Sequence, residues 1–452
     1  MKKVCVVGLG YIGLPTAIIA AQAGLNVVGI DINEEIIDCI NRCCPIIQEP
    51  EITEHLQEVL NTEHFYATTV YESADFFIIA VPTPFTDDKK ADLSYVYAAT
   101  KSIAGVLKKG DTVILESTVP VGTTQTLATM LAAKTGLIAG EDFFIAHCPE
   151  RVLPGNIFKE LKVNDRIIGG LDKGSTQHVA TFYKYFVSGD LYLTTAEIAE
   201  MTKLVENSYR DVNIAFAHQI ASMSKAAGID PYELIELANK HPRVNILKPT
   251  AGVGGHCLAV DPWFLIQTFP AATTLLKEAR LVNDHRPLEI LDTIKHAVHR
   301  WKTEQQKESC TLLLLGLTYK PDIDDLRESP AVTIALSLLK EAGINLMICE
   351  PYVATKFWNK YLSSYAVTLE EGTQKADVLV TLVGHSVFKT IDKKIIAHKK
   401  TLDFCGLFYT PHTQSATQEQ FFWAVRSTEY DNFFSSQKTQ SIRSRNESEQ
   451  ST

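Results

Sequence analysis

Three features of the sequence predict an α/β chain made of two Rossmann-like doubly wound domains, joined by a long central helix and a helical dimerisation region. The first is Val6-Val7-Gly8-Leu9-Gly10-Tyr11-Ile12-Gly13, a strand-like run that passes into G-x-G-x-x-G. The second is the stretch from Ala196 to Gly228, which has apolar residues at helical spacing and no Pro or Gly before Gly228. The third is a repeat of plan. Ala23-Gly24-Leu25-Asn26-Val27-Val28-Gly29-Ile30-Asp31 has a counterpart in Ala342-Gly343-Ile344-Asn345-Leu346-Met347-Ile348-Cys349-Glu350. The expected division is 1–195, 196–300 and 301–425, with a polar tail at 426–452.

Taken in order, residues 4–10 read as a buried parallel strand and its glycine turn. A helix follows from Leu14 to Ala23, stopped by Gly24, and then a second strand from Val27 to Ile30 that ends at Asp31. Strands are expected at Asp75–Val81, Thr112–Glu116 and Phe143–His147, alternating with helices as in an open doubly wound sheet. The long helix should end at Gly228, and a second helix should start at Pro231. From Thr311 the pattern resumes, with strand Leu312–Leu315, a turn at Gly316, a helix from Ala331 to Ala342 and a strand from Asn345 to Cys349. Only one of the fingerprint glycines recurs there, so this second domain is not expected to hold a dinucleotide in the same way. The residues from about Ser427 are poor in apolar side chains and predict disorder.

Composition narrows the function. The chain has 452 residues, too many for one core, with 46% apolar and 21% charged residues. A net charge of −10 without a basic stripe speaks against nucleic acid or an anionic membrane as partner. An anionic substrate must then be met by helix N-termini and single cations. No apolar run approaches the roughly 18–20 residues of a membrane span, and Met1–Val7 leads straight into the glycine turn without a signal-peptide pattern. The expected location is the cytoplasm. Nine scattered cysteines without a C-x-x-C pair predict reduced thiols, no disulfide framework and no metal site.

In the fingerprint, Gly8 allows the tight turn, Gly10 lets backbone approach a pyrophosphate, and Gly13 permits close helix packing. Tyr11 and Ile12 lie in the same turn. Asp31 falls at the end of the second strand, where a carboxylate accepts ribose hydroxyls. The following Ile32-Asn33-Glu34-Glu35 offers no cation for a 2′-phosphate, so the expected cofactor is NAD. Far along the chain, Gly252-Val253-Gly254-Gly255-His256-Cys257-Leu258-Ala259-Val260-Asp261 sets a thiol in a glycine loop, four residues before an aspartate. In a core strand such a cysteine would be one more buried thiol. In a glycine loop it has room for a ligand. A thiol that traps an aldehyde beside a nicotinamide site permits a second oxidation, to the acid. Lys203 and Asn207, four residues apart, share one helix face.

This pairing of fingerprint and thiol loop resembles the UDP-glucose/GDP-mannose dehydrogenase family. The resemblance runs from residue 1 to about 425, and its motifs are in family order. It implies a four-electron oxidation of a nucleotide sugar from alcohol to carboxylate, with Cys257 as nucleophile. By the same resemblance Thr202-Lys203-Leu204-Val205-Glu206-Asn207-Ser208 is the central-helix motif, whose Lys203 and Asn207 stabilise the oxyanion. Thr118 in Glu116-Ser117-Thr118-Val119-Pro120 and Glu150 in Cys148-Pro149-Glu150-Arg151-Val152 position the hydrolytic water, Asp261 orients water or a base, and Thr83 in Val81-Pro82-Thr83-Pro84 lines the cofactor. Thr118 and Arg327 also count toward the cofactor site. The implied substrate residues are Glu150, Arg151, Val152, Lys203, Asn207, Arg210, His241, Arg243, Gly254, Tyr319 and Lys320, with Arg243 matching an arginine that reaches a neighbouring subunit's substrate.

The UDP-glucose branch carries a lysine where this chain has Val260. His241-Pro242-Arg243-Val244-Asn245 and Arg210-Asp211-Val212-Asn213 point instead to the branch that acts on a UDP-N-acetylhexosamine, the manno epimer first. One departure is Thr250-Ala251, where that branch has Gly-Pro. The implied product is a uronate for bacterial surface polysaccharide, and the implied assembly is a homodimer or dimer-based oligomer. The competing readings are the same chemistry on UDP-N-acetylglucosamine or UDP-glucose, a two-electron hydroxyacid dehydrogenase, which has no use for Cys257, and a catalytically silent sugar-nucleotide binder. Intact Lys203, Asn207, Cys257 and Asp261 speak against the last.

Overall fold

The computed structural model describes residues 2–410 apart from 46, 48, 87, 153 and 154. The tail expected at 426–452 lies outside these residues. Two compact units emerge. One holds the described chain up to Val212 together with His256–Arg280; the other holds Asn213–Gly255 and the described residues from Leu281 on.

The first unit is built on an eight-stranded sheet of β1 (Lys3–Val7), β2 (Asn26–Ile30), β3 (Phe65–Thr68), β4 (Phe76–Ile79), β5 (Thr112–Leu115), β6 (Phe144–His147), β7 (Arg166–Gly170) and β8 (Leu191–Thr195), in the order β3-β2-β1-β4-β5-β6-β7-β8. All neighbours are parallel except β6 and β7. Both faces are covered, and successive residues of β1 show it. Val4 and Val6 belong to one apolar cluster, Cys5 and Val7 to the other. β1 stops at Val7 because Gly8 turns the chain with φ +92°. The strands expected at 75–81, 112–116 and 143–147 are β4, trimmed at both ends, β5, one residue shorter at its end, and β6, one residue shorter at its start.

The second unit carries a parallel four-stranded sheet of β9 (Cys310–Leu315), β10 (Ile344–Cys349), β11 (Val378–Thr381) and β12 (Lys400–Asp403), ordered β10-β9-β11-β12. Here too alternate residues serve opposite cores, Leu312 and Leu314 against Leu313 and Leu315. The helix expected over 331–342 runs from Pro330 to Leu338. Beyond it Lys340 and Glu341 bond three residues back, a tightened turn that closes at Gly343 with φ +74°.

The long helix spans Ala196–Ala227 and ends at Gly228, φ +70°. Its successor spans Pro231–Ala238, with the Asp230 carboxylate accepting from Tyr232 N at 2.7 Å. A second long helix, Thr274–Gln305, contains Pro287 and was not expected as a single element. All nine cysteines are free, with Cys5, Cys310 and Cys349 buried in or beside their strands. No helix among the described residues is long and apolar enough to cross a membrane.

Candidate active site

The glycine turn is shaped by what each glycine excludes. A Cβ on Gly8 would lie 2.6 Å from the Ala80 carbonyl oxygen, and one on Gly13 only 1.7 Å from that of Gly8, whereas a Cβ on Gly10 would meet nothing within 4 Å. Gly8 and Gly13 therefore serve packing, and Gly10 leaves open space where a ligand's phosphates need it. The helix Gly13–Gln22 begins there with no side-chain cap and no acidic residue in its first turn, so no carboxylate of that turn opposes an anion at its positive end. Tyr11 and Ile12, half-buried, form the step into it. Asp31 Oδ2 accepts the Leu9 N–H and Oδ1 the Asn33 N–H, each at 3.0 Å, which turns the carboxylate toward the glycine turn. These residues fit an NAD adenosine and pyrophosphate. Thr83 is half-buried just after β4, and the preceding Val81 carbonyl accepts from Ser117 Oγ at 2.7 Å.

On the long helix, Asn207 Nδ2 donates to Asp261 Oδ2 at 2.5 Å. Asp261 is the first residue of the helix Asp261–Thr268, and its N–H donates to the Cys257 carbonyl at 2.9 Å, so the helix starts directly from the thiol loop. Cys257 itself is exposed. Burial pushes the Asp261 carboxyl up to about 6, against the opposing pull of the Asn207 amide and the Lys203 ammonium. Leu204, Val260, Phe264 and Leu265 form the apolar patch that holds the two helices' segments together. Lys203, Asn207, Cys257 and Asp261 thus belong to one unit, and they offer a cation, an amide donor, a thiol and a titratable carboxyl. Arg210 lies three residues beyond Asn207 and is exposed.

The same unit carries the strand-end loops. Thr118 is half-buried beyond β5, beside the buried Val119. Glu150 is buried beyond β6, and Arg151 forms a two-point ion pair with Glu206 of the long helix, Nη2 to Oε1 at 2.7 Å and Nε to Oε2 at 3.1 Å. Val152 packs on the apolar cluster below. Glu49 accepts from Gly155 N at 2.8 Å and Ile157 N at 2.7 Å, which fixes the far end of this loop.

In the second unit Gly254 is seated where a Cβ would stand 2.6 Å from both Tyr319 Cβ and the Glu328 carbonyl oxygen, and Gly255 N donates to the Arg327 carbonyl at 3.2 Å. The thiol loop's glycines are therefore a packing requirement against the loop that carries Tyr319, Lys320 and Arg327. The Arg327 guanidinium is held by Asp325, Nη2 to Oδ2 at 2.6 Å. His241 and Arg243 stand in an exposed turn after the Pro231–Ala238 helix, where the Arg243 N–H donates to His241 Nδ1 at 3.3 Å.

Several participants were not singled out in the sequence. Arg280, 1% exposed, pairs with Asp211 at 2.6 Å and reaches the Leu258 carbonyl at 3.4 Å, tying the residue after Cys257 to the long helix. Glu200 on that helix caps the Thr123–Thr135 helix by accepting from Gly122 N at 2.6 Å and Thr124 N at 2.7 Å. Arg166 reaches Glu150 at 3.0 Å. A carboxylate or guanidinium sixteen or more residues away in sequence leaves no local pattern. Only Glu350, the counterpart of Asp31, was visible from the repeat.

Residues 2–187 match the NAD binding domain of the UDP-glucose/GDP-mannose dehydrogenase family, residues 197–285 its central domain and residues 313–408 its UDP binding domain. The chain is 46% identical over 415 residues to a UDP-N-acetyl-D-mannosamine dehydrogenase of Campylobacter jejuni, covering 89% of this chain and 99% of that one. It is 42% identical over 415 residues to an NDP-N-acetyl-D-galactosaminuronic acid dehydrogenase of Ralstonia solanacearum, covering 90% and 96%. The solved structure of UDP-D-ManNAc dehydrogenase from Pyrococcus horikoshii matches with a TM-score of 0.81 at 38% identity, over 91% of this chain and 97% of that one. With an open NAD turn, a thiol loop and all three domains of the family in order, the chain belongs to the UDP-glucose/GDP-mannose dehydrogenase family and is an NAD-dependent UDP-sugar dehydrogenase.

Proposed function

We propose that the chain oxidises UDP-N-acetyl-D-mannosamine at C6 to UDP-N-acetyl-D-mannosaminuronate in two successive stages at one site. The observation that carries this reading is the grouping of Lys203, Asn207 and Asp261 with the loop of the exposed Cys257. NAD, when bound, accepts the hydride of each stage. The Cys257 thiolate adds to the aldehyde carbon, giving a thiohemiacetal and, after the second oxidation, a thioester. The Lys203 ammonium and the Asn207 amide, oriented by Asp261, face the oxyanion of each tetrahedral adduct. Thr118 and Glu150 position the water that attacks the thioester carbonyl. The C–S bond breaks, the thiol of Cys257 returns and the water oxygen stays in the carboxylate.

The manno sugar rests on the Campylobacter and Pyrococcus relatives and on Val260 in the place of the UDP-glucose branch's lysine. The Ralstonia relative supports a second reading, an N-acetylgalactosamine nucleotide, with the same chemistry. Gly8, Gly10, Tyr11, Ile12, Gly13, Asp31, Thr83, Thr118 and Arg327 are proposed for the cofactor, and Arg151, Val152, Arg210, His241, Arg243, Gly254, Tyr319 and Lys320 for the substrate. The proposed domains are 1–195, 196–300 and 301–425. A homodimer is supported by a stripe of exposed apolar side chains along the long helix, Met201, Val205, Tyr209, Phe216 and Met223. The proposed setting is the cytoplasm, with the uronate passing to surface polysaccharide.

An NADH assay over a panel of UDP-sugars tests the reading. About two NADH should form per sugar, with no aldehyde released. The UDP-N-acetyl-D-mannosamine arm should exceed the galacto, gluco and glucose arms in kcat/KM. Cys257→Ser should bind NAD yet lose several orders of magnitude in turnover, and Lys203→Ala should lower kcat about 10²–10³-fold with a smaller change in KM. One NADH per sugar with free aldehyde, or near-normal turnover of Cys257→Ser, sinks the mechanism. No NADH from any sugar would mark a silent binder.

A further inference from the structure

The turn of β7 against β6 has a chemical outcome at the site's edge. The two strands are antiparallel, with Ala146 opposite Gly170 and His147 opposite Gly169. Continuing that register sets Arg166, the first residue of β7, opposite Glu150. A parallel β7, like the rest of the sheet, would put the arginine at the other end of the strands. Arg166 is 3% exposed, and its Nη1 lies 3.0 Å from Glu150 Oε2 and 3.7 Å from Glu116 Oε1. Nη2 donates to the Leu161 carbonyl at 3.5 Å, and the guanidinium carbon stands 4.9 Å from the centre of the Tyr183 ring. The Tyr183 hydroxyl donates to Glu116 Oε1 at 2.7 Å. One cation therefore sits between two carboxylates, 2% and 9% exposed, that arrive from the ends of β5 and β6.

With both carboxylates ionised, the set would hold an unbalanced negative charge away from water, which is costly. Burial pushes Glu116 up to about 7; Arg166 pulls it down and Glu150 pushes it further up, while Tyr183 and Thr16 of the first helix favour its ionised form. The remaining titratable groups packed here, the Tyr183 hydroxyl and the Cys148 thiol, are held neutral by burial. Glu116 thus gains and loses a proton around neutrality, and with it a claim on the guanidinium.

We propose that Arg166 is a positioning residue for Glu150, and that Glu116, on the other side of the guanidinium, governs how firmly Arg166 holds it. When Glu116 is protonated, Arg166 serves Glu150 alone. When Glu116 ionises, the guanidinium is shared and Glu150 Oε2 is held less firmly, while Oε1 keeps the Arg151 N–H at 2.5 Å. This rests on the reading that Glu150 positions the water that hydrolyses the Cys257 thioester.

The test uses full-length enzyme with NAD and UDP-N-acetyl-D-mannosamine, following rapid-mixing NADH formation and the intact mass of the protein. In Glu150→Gln, NADH should burst and then stall, with the sugar acyl group retained on the enzyme. Arg166→Gln should show the same burst, a steady-state kcat lower by about 10²-fold and KM values within about twofold of wild type. Arg166→Lys, which keeps the charge but loses the planar guanidinium, should recover part of the rate. Wild-type hydrolysis should fall as pH rises through about 7, and Glu116→Gln should remove that fall. If Glu150→Gln turns over normally without retained acyl group, the underlying reading fails. If Glu150→Gln stalls, yet Arg166→Gln keeps its kcat or Glu116→Gln keeps the fall, the inference is overturned. Should Arg166→Gln not fold, the lysine variant and the Glu116→Gln profile decide the matter.

Discussion

β2 ends at Asp31 and β10 ends at Glu350, and the two carboxylates make the same first contacts. Asp31 Oδ2 accepts the N–H of Leu9, the residue after Gly8; Glu350 Oε2 accepts the N–H of Leu317, the residue after Gly316, at 2.8 Å. The other oxygen of each accepts the N–H two residues on, Asn33 at 3.0 Å and Tyr352 at 2.9 Å. Beyond this the sites diverge. Glu350, one methylene longer, also takes the Thr318 N–H at 3.1 Å and His385 Nε2 at 3.0 Å. The Asp322 N–H donates to His385 Nδ1 at 2.9 Å, which places the ring proton on Nε2, facing Glu350. The first turn enters its helix at Gly13; the second runs through the loop of Tyr319, Lys320 and Arg327 before its helix starts at Pro330. The lesson is that one framework yields an open anion seat or a plugged one. A longer carboxylate, a buried histidine and a delayed helix set the second turn apart from the first.

The largest expected effect tests the open turn. Gly13→Ala would press a methyl into the Gly8 carbonyl, 1.7 Å away, so the first unit should melt more than about 5 °C lower, or fail to fold. Gly10→Ala meets nothing within 4 Å and should melt like wild type, yet bind NAD at least about tenfold more weakly. Thermal melts and NAD titration of the pair measure this, and equal behaviour would end the distinction between packing and ligand glycines.

Next is the plugged turn. Glu350→Gln places an amide donor against donors and should cost about 1–3 kcal/mol by urea unfolding. It should also raise KM for the nucleotide sugar and leave NAD affinity unchanged. A loss of NAD affinity would mean the two turns are not independent. Asp31→Ala should do the reverse, narrowing the ratio of kcat/KM for NAD over NADP by about tenfold, roughly 1.4 kcal/mol, with KM for the nucleotide sugar unchanged. A wild type that uses both cofactors equally would remove Asp31 from the ribose.

The smallest effect is in pH. Burial alone would raise Glu350, but the His385 contact and the amides hold it below the usual carboxylate range. Its contribution to stability is therefore present above the unfolded value and lost as pH falls through the lower folded one. Glu116 and Asp261 are raised to about 7 and about 6. They contribute most below their unfolded values, and that contribution is lost as pH rises through 6 to 7. Unfolding from pH 3 to 8 should show these opposite trends. Glu350→Gln should flatten the acid side and Glu116→Gln the neutral side; identical profiles for all three proteins would contradict the assignment.

What the sequence disclosed follows the range of its signals. Gly8, Gly10, Gly13 and Asp31 lie within one βαβ unit, where spacing dictates contact, and the repeat around Gly343 carries the same information into the second unit. Gly228 and Pro231 mark helix ends because their backbone preferences act locally. The Thr274–Gln305 helix was obscured by Pro287 and by its polar composition. Pro287 is accommodated where it packs toward Gly252, whose Cβ would come within 3.2 Å of the ring. Arg166 reads as an ordinary strand start, and its partner at Glu150 follows only from the antiparallel turn of β7, which no local pattern announces. The same holds for Arg280 with Asp211 and for His385 with Glu350. Buried charges find partners through topology, and topology is what a one-dimensional pattern records least.

The division of the chain into units bears on how such an enzyme can change its sugar by inheritance. The unit that holds Lys203, Asn207, Cys257 and Asp261 and the unit that holds Gly254, Tyr319, Lys320 and Arg327 exchange the chain at 212/213, 255/256 and 280/281. Two of these crossings fall inside the helices Ala196–Ala227 and Thr274–Gln305, and the third falls just before His256 and Cys257. A recombination that transplanted the second unit whole would need all three cuts at once, two of them through continuous helical hydrogen bonding. No single contiguous gene segment therefore encodes the second unit by itself.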